Sequence, residues 1–317
     1  MMHIEGRQHV SHAILVVGSI NLDLILHCSR LPVEGEALIG ERYEYIPGGK
    51  GANQAVAAAR AGADVTFVGR TGADSNGRLL RASLAPERVE LSLLSEDPDH
   101  PTGLAVIIVE EGGTNRLIVY PGANDHVPAA DIERAFERPF DGVIANLEIS
   151  DEAIYTLGRL CATHGVPLVV DAGPARPFDF GPLRGLTVIS PNESEASFIA
   201  GVGCGTHAET IEAARIIRAV TGAEIVLLKL GARGSLLFGD NLCVPVPAFP
   251  IRAVDPTAAG DAFTAAFLVR YLESGDLRAA ARFANAAGAL ACLTPGAQPS
   301  LPPRTAIDAC LASHGEG

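Results

Sequence analysis

Residues 142–190 read GVIANLEISDEAIYTLGRLCATHGVPLVVDAGPARPFDFGPLRGLTVIS. The runs VIANLE, PLVVDA and LTVIS are short and rich in β-branched residues, and they end on Glu, Asp-Ala and Ser; runs of this kind form buried strands. Asp151–His164 lies between the first two and repeats its apolar residues every three or four positions, which predicts a helix. A strand, a helix and a further strand in this order give a parallel pair joined by a crossover. The same rhythm continues on both sides of the segment. AILVVGS (13–19), VTFVG (65–69) and IVLLKLG (225–231) read as buried strands. Gly51–Gly62, Ser75–Leu84, Glu193–Ala200, Glu209–Thr221, Asp261–Glu273 and Asp276–Leu293 read as helices. The expected class is α/β: a mostly parallel sheet with helices on both faces, in three layers.

Two regions break the rhythm. LILHC and ALIGERYEYI, within Leu24–Ile46, alternate apolar and polar residues. TGLAVIIVEEGGTNRLIVY (102–120) reads as two strands joined by a glycine turn. Segments 21–48 and 102–120 are expected to pair into a small separate antiparallel sheet, a candidate lid on a body spanning 10–313.

The chain of 317 residues has 24 Lys plus Arg against 37 Asp plus Glu, a formal net charge of −13. Such a surface repels nucleic-acid backbones, so no nucleic-acid partner is expected. No apolar run is long enough for a membrane span. The six cysteines have no metal-ligand or CxxC spacing, which fits free thiols in a reducing, cytoplasmic compartment. Residues 1–9 lack the order of a secretion signal. They contain IEGR, which resembles a protease site of expression design, and are set aside as a tail.

Three clusters carry chemistry. Gly18-Ser19-Ile20-Asn21-Leu22-Asp23 follows the first strand, where ligands of parallel sheets bind. Asn21 and Asp23 lie on one side of the chain and suit the hydroxyls of a sugar, although a polar turn would look the same. Gly48-Gly49-Lys50-Gly51-Ala52-Asn53-Gln54 precedes the helix-forming AVAAARAGA. Its glycines allow close backbone approach, and a helix N-terminus and Lys50 face the ligand. Neither a Walker A loop nor GxGxxG is present, and the latter absence counts against an NAD-dependent dehydrogenase. Asp255-Pro256-Thr257-Ala258-Ala259-Gly260-Asp261 leads into the apolar helix AFTAAFLVRYL. The amides of Ala259, Gly260 and Asp261 would form an anion hole beside a carboxylate able to deprotonate an alcohol, a phosphoryl-transfer arrangement.

GSINLD, GGKGANQAVAAARAGA, NLE, PNESE, LGARG, DPTAAGD and GAQPSLP stand in the order found in the ribokinase-like (PfkB) carbohydrate kinases. The chain closely resembles that family from about Ala13 to Ala312, and the long glycine-loop match is similar to its ribokinase branch. The resemblance implies ATP-dependent phosphorylation of the primary hydroxyl of a small sugar, D-ribose to ribose 5-phosphate, with Asp261 as base. It implies a sugar site of Asn21, Leu22, Asp23, Gly49, Lys50, Gly51, Ala52, Asn53, Glu148 and Asp261. It places the nucleotide at Asn192, Glu195, Lys229, Leu230, Gly231, Ala232, Arg233, Gly234, Ala259, Gly260 and Asn285, with magnesium near PNESE. A potassium site falls on Asp255, Thr257, Ala291, Thr294, Gly296 and Ser300, and a homodimer through the lid is implied as well. From the residues alone PNESE reads equally well as a loop and helix cap, and Asn285 as a structural residue. Lys229 stands where ribokinases often have Thr, and Pro256 replaces a commoner Thr. Other small-sugar (fructokinase-like) or nucleoside kinases of the family, and a non-catalytic sugar-binding regulator, are the competing readings. The intact Asp261 segment counts against the regulator.

Overall fold

The computed structural model describes residues 11–112 and 114–315. The proposed tail 1–9 lies outside the described residues. In chain order the elements are β1 (Ala13–Val17), β2 (Asn21–Cys28), β3 (Arg42–Gly48), α1 (Lys50–Arg60), β4 (Asp64–Gly72), α2 (Ser75–Leu84), β5 (Val89–Glu90), β6 (Leu94–Asp97), β7 (Gly103–Glu110) and β8 (Asn115–Tyr120). They continue with α3 (Ala129–Ala135), β9 (Gly142–Asn146), α4 (Asp151–His164), β10 (Leu168–Asp171), β11 (Leu186–Ser190), α5 (Glu193–Ala200), α6 (His207–Thr221) and β12 (Ile225–Lys229). The last are β13 (Ser235–Gly239), β14 (Leu242–Val246), α7 (Ala259–Ser274), α8 (Leu277–Ala291) and α9 (Arg304–Ser313).

The large sheet has the order β14-β13-β12-β11-β10-β9-β1-β4-β5, with β6 also on β4. From β12 through β5 every pair is parallel, while β12–β13 and β13–β14 are antiparallel. Alternate side chains enter opposite layers, as the two-residue strand period requires. Ile14 and Val16 of β1 join a core built with α1, α2, α7, α8 and α9, whereas Leu15 and Val17 join one built with α3, α4, α5 and α6. The sheet is thus buried on both faces, and its ligand edge is the row of strand carboxyl ends.

The small sheet has the order β3-β2-β7-β8. Its outer pairs, β2–β3 and β7–β8, are antiparallel, but the central pair β2–β7 is parallel, with Asn21 opposite Gly103. Both strands leave the body at the same point and run outward together, so they can only pair in parallel. The lid therefore stands over the carboxyl end of β1. Tyr43, Tyr45, Leu117, Ile118 and Tyr120 are exposed on it.

Candidate active site

The first strand meets α1 almost backbone to backbone. A Cβ on Gly51 would fall 2.5 Å from the Gly18 carbonyl carbon, and one on Gly18 would fall 2.2 Å from Asn146 Nδ2. Gly49, at φ +88°, precedes the helix, and a Cβ there would lie 2.6 Å from the Asn21 nitrogen. Glycine is required where backbone approaches this closely. The amides of Gly51 and Ala52 are used inward: Gly51 N donates to Ser19 Oγ at 3.4 Å and Ala52 N to the Ser19 carbonyl at 2.9 Å. Leu22 is a core side chain. Gly51, Ala52 and Leu22 therefore shape this end of the site from behind, rather than presenting polar groups to it.

Around that end the polar side chains converge. Asn21 Oδ1 accepts from Asn124 Nδ2 at 2.7 Å, and the Asp23 carboxylate folds against Gly48. Glu148 accepts from Ser19 Oγ at 2.5 Å. Asn53 Nδ2 donates to Asp261 Oδ2 at 2.9 Å, and Gln54 Nε2 donates to Asp261 Oδ1 at 3.2 Å. The glycine loop and the distant α7 segment are thus joined directly. Asn53 Oδ1 and Gln54 Oε1 remain buried without partners among the described residues. Buried acceptors left unpaired cost stability unless a donor arrives, and sugar hydroxyls are donors.

The carboxylates here are strongly perturbed. Burial pushes Asp23 up to about 7, helped by the charges of Glu148 and Asp261. Burial likewise lifts Asp261 to about 6; the Lys50 ammonium opposes the rise and Asp171 adds to it. Burial works against the charge on Lys50, yet Asp171, Asp261, Glu195 and Glu148 together hold its ammonium well above the ordinary range. Burial also works against Asp171, but Lys229 and Lys50 outweigh it and hold that carboxyl at about 2.

On the other side of Asp261 opens a groove of about 760 Å³. Phe249, Pro250, Ile251, Phe263 and Ala289 form its apolar walls; Lys229 and the tip of α7 close its inner end. Ala258 caps α7 at φ +59°, a left-handed conformation that a non-glycine residue adopts at a cost. Ala259 N is taken up by the Pro256 carbonyl at 3.2 Å. The expected anion hole therefore narrows to the amides of Gly260 and Asp261, which find no partner among the described residues and belong to the unpaired first turn of the helix.

Gly231, Ala232 and Gly234 line the groove. Leu230 is buried, and Arg233 turns away to Glu193 at 2.5 Å and the carbonyls of Cys204 and Gly205. Asn285 lines the wall but spends its amide nitrogen on the carbonyls of Val246 and Pro247, both at 3.1 Å. Asn192 and Glu195 form a capping box on α5, with Glu195 Oε2 2.8 Å from Asn192 N. Glu195 Oε1 faces the backbone of Gly173 beside Lys50.

Asp255 ties two loops together. Its Oδ1 accepts from the nitrogen (2.9 Å) and hydroxyl (2.6 Å) of Thr257, and its Oδ2 accepts from Gly296 N at 2.8 Å. Its own nitrogen donates to the carbonyl of Cys292, the residue after Ala291. Ser300 Oγ donates to the Ala297 carbonyl instead. No group of three or more His, Cys, Asp or Glu among the described residues could hold a metal ion.

Sequence reasoning missed Asp171 and Thr264, and it placed Gln54 in the glycine cluster without giving it a role. Asp171 ends β10 beside Asn146 of β9, so PLVVDA already placed a carboxylate on the ligand edge. Its pairing with lysines 121 and 58 residues away is visible only in three dimensions.

An α/β body that sets bare helix-tip amides beside a buried carboxylate, between a polar pocket and an apolar-walled groove, has the layout of a kinase acting on a small alcohol. Comparison with known proteins agrees. The family model described as pfkB family carbohydrate kinase matches residues 11–304. A ribokinase of Bacillus subtilis is 34% identical over 301 residues, covering 94% of this chain and 99% of the relative. One from Haemophilus influenzae is 32% identical, covering 91% and 95%. The structure of Arabidopsis thaliana ribokinase complexed with ribose and ATP superposes with a TM-score of 0.87 at 32% identity, covering 95% of this chain and 99% of that one. The chain belongs to the pfkB family of carbohydrate kinases.

Proposed function

We propose that this enzyme transfers the γ-phosphoryl group of ATP to the primary hydroxyl of D-ribose, giving ribose 5-phosphate. One observation carries the reading: Asp261 is hydrogen-bonded to Asn53 of the glycine–lysine loop while sitting at the α7 tip that closes the groove. A polyol held by Asn21, Asp23, Lys50, Asn53 and Glu148 would present a hydroxyl to Asp261. ATP would lie along the groove with its base between the apolar walls and its terminal phosphate at the amides of Gly260 and Asp261. The similarity to ribokinases over nearly the whole chain supports ribose as the sugar. A coupled ADP-release assay over ribose, 2-deoxyribose, fructose and nucleosides tests it. Ribose should give the highest kcat/KM, and a clear preference for fructose or a nucleoside would reject the reading.

Asp261 takes the hydroxyl proton as the bond to phosphorus forms. The reaction has a loose transition state, so positioning and charge stabilisation do most of the work. The base must be ionised, and its carboxyl is raised to about 6. Activity is therefore present above that value and lost below it. On the acid side kcat/KM should fall tenfold per pH unit, which a pH–rate profile will check.

Glu195 Oε1 and Asn192 fit a magnesium ion that keeps most of its waters and arrives on the phosphates, since one carboxylate edge cannot make an all-protein cage. Bound there, magnesium would neutralise charge on the transferred group. The Asp255 loop offers one carboxylate among backbone carbonyls and the Thr257 hydroxyl, a hard-oxygen set of low charge that fits potassium. Asp255, Thr257, Ala291 and Gly296 would hold it, with Thr294 and Ser300 supplying the far side. Because this loop sets the backbone leading into α7, activity should rise severalfold when potassium replaces sodium or Tris. Equal rates in all three would remove the assignment. The exposed tyrosines and Ile118 of the lid support a homodimer formed through it.

A further inference from the structure

Asp171 is completely buried at the carboxyl end of β10, yet it accepts hydrogen bonds from four directions. Lys229 Nζ of β12 donates at 2.6 Å, Thr264 Oγ1 of α7 at 3.0 Å, Gly173 N at 3.1 Å and Lys50 Nζ of α1 at 3.5 Å. Lys50 and Lys229 are the only basic residues lining the groove among the described residues. Both are held by this one carboxylate, which Thr264 ties to the helix that also carries Asp261.

We propose that Asp171 is a positioning residue that fixes Lys229 over the tip of α7 as the cationic donor to the transferring phosphoryl group, and that it also keeps Lys50 from closing on Asp261. This rests on the phosphoryl-transfer reading above. A Cβ on Gly260 would lie 3.6 Å from Lys229 Nζ, so the ammonium stands beside Gly260, whose amide is one of the two free ones. A lysine is a flexible point charge, and it aims at one spot only if something holds it. A buried carboxylate with fixed partners supplies that hold. Lys50 Nζ is 4.0 Å from Asp261 Oδ1 and 3.5 Å from Asp171 Oδ1. Without the Asp171 charge it would settle on Asp261 and make it a poorer base. An Asn at 171 has one acceptor oxygen and no charge, and cannot hold both lysines.

The test uses the full-length enzyme with ATP and whichever sugar it turns over best. Lys229→Met should lower kcat/KM for ATP by ~10²-fold, the scale of losing one transition-state donor, with sugar affinity by calorimetry within twofold. Lys229→Arg should recover part of the loss. Asp171→Asn should lower kcat more than ~10-fold in the native background and by a markedly smaller factor in the Lys229→Met background, where only its hold on Lys50 is left to lose. A merely structural carboxylate would cost the same in both. The acid limb of the kcat profile should also move to lower pH in Asp171→Asn. Asp261 is faced by Lys50, Asn53 and Gln54 of α1, Asp23 of β2, Asp171 of β10 and Lys229 of β12, and the variant removes the Asp171 charge and frees Lys50. Equal losses from Asp171→Asn in the two backgrounds, or Lys229→Met within threefold of the native kcat/KM for ATP, would overturn the proposal while leaving the kinase reading intact. Should Asp171→Asn fail to fold, the Lys229→Met and Lys229→Arg pair still decides the role of the lysine. A native enzyme that transfers nothing from ATP to any sugar would reject the kinase reading, and this proposal with it.

Discussion

Asp261→Asn should lower kcat by about 10²–10⁴-fold and leave the affinity for the sugar within a few-fold. The variant keeps the volume of the side chain and one acceptor oxygen, so the bond from Asn53 survives. The new amide nitrogen meets Gln54, whose unpaired Oε1 can turn to accept it. The pocket therefore stays assembled, and only the proton acceptor is lost. Calorimetry with the sugar and single-turnover transfer from labelled ATP separate the two quantities. Near-native turnover would show that another group takes the proton.

Gly49→Ala should do comparable damage by a different route. At φ +88° and ψ 131° the residue occupies a region essentially reserved for glycine. The added carbon would stand 2.6 Å from Asn21 N and 2.7 Å from Ile20 Cα, both backbone atoms that no rotamer change can move. Either α1 lifts from the end of β1 or the residue abandons its conformation. The expected cost is about 2–4 kcal/mol of stability. A loss of about 10²-fold in kcat/KM for the sugar should accompany it, because a shift of about 1 Å in a positioning loop has that effect. Gly62→Ala is the matched control. Gly62 also has a positive φ, +108°, but nothing among the described residues lies within 4 Å of the added carbon. It should lose about 1–2 kcal/mol and keep its activity. Thermal melts and steady-state kinetics on both variants check the contrast. Equal behaviour would mean that backbone contact at Gly49 does not hold the site together.

Local chemistry explains which elements could be read in advance. The helix Asp151–His164 was fully legible because Ser150 caps one end and Gly165 closes the other in the left-handed conformation. The parallel strands were legible because burial on both faces makes them continuous apolar runs. α3 has only seven residues, too few to show a period, and α9 follows a proline-rich stretch without a side-chain cap. β13 and β14 form the antiparallel edge, where Pro245 interrupts the strand pattern. At the site, the glycine loop marks where α1 meets the end of β1 backbone to backbone. Such a loop does not show where side chains point: the resemblance assigns Arg233 and Asn285 to the nucleotide, and in the structure Arg233 donates to Glu193 and the Cys204 and Gly205 carbonyls and Asn285 to the Val246 and Pro247 carbonyls. Nor does spacing along the chain betray a buried carboxylate such as Asp171, whose partners come from three other elements.

The most direct test of the central claim is the phosphorus NMR spectrum of the product made by the native enzyme from ribose and ATP. Transfer to a hydroxyl aimed at Asp261 predicts a single phosphomonoester on the primary carbon, with one ADP formed per sugar consumed. Phosphate on the anomeric oxygen, or ADP released at the same rate without sugar, would contradict it.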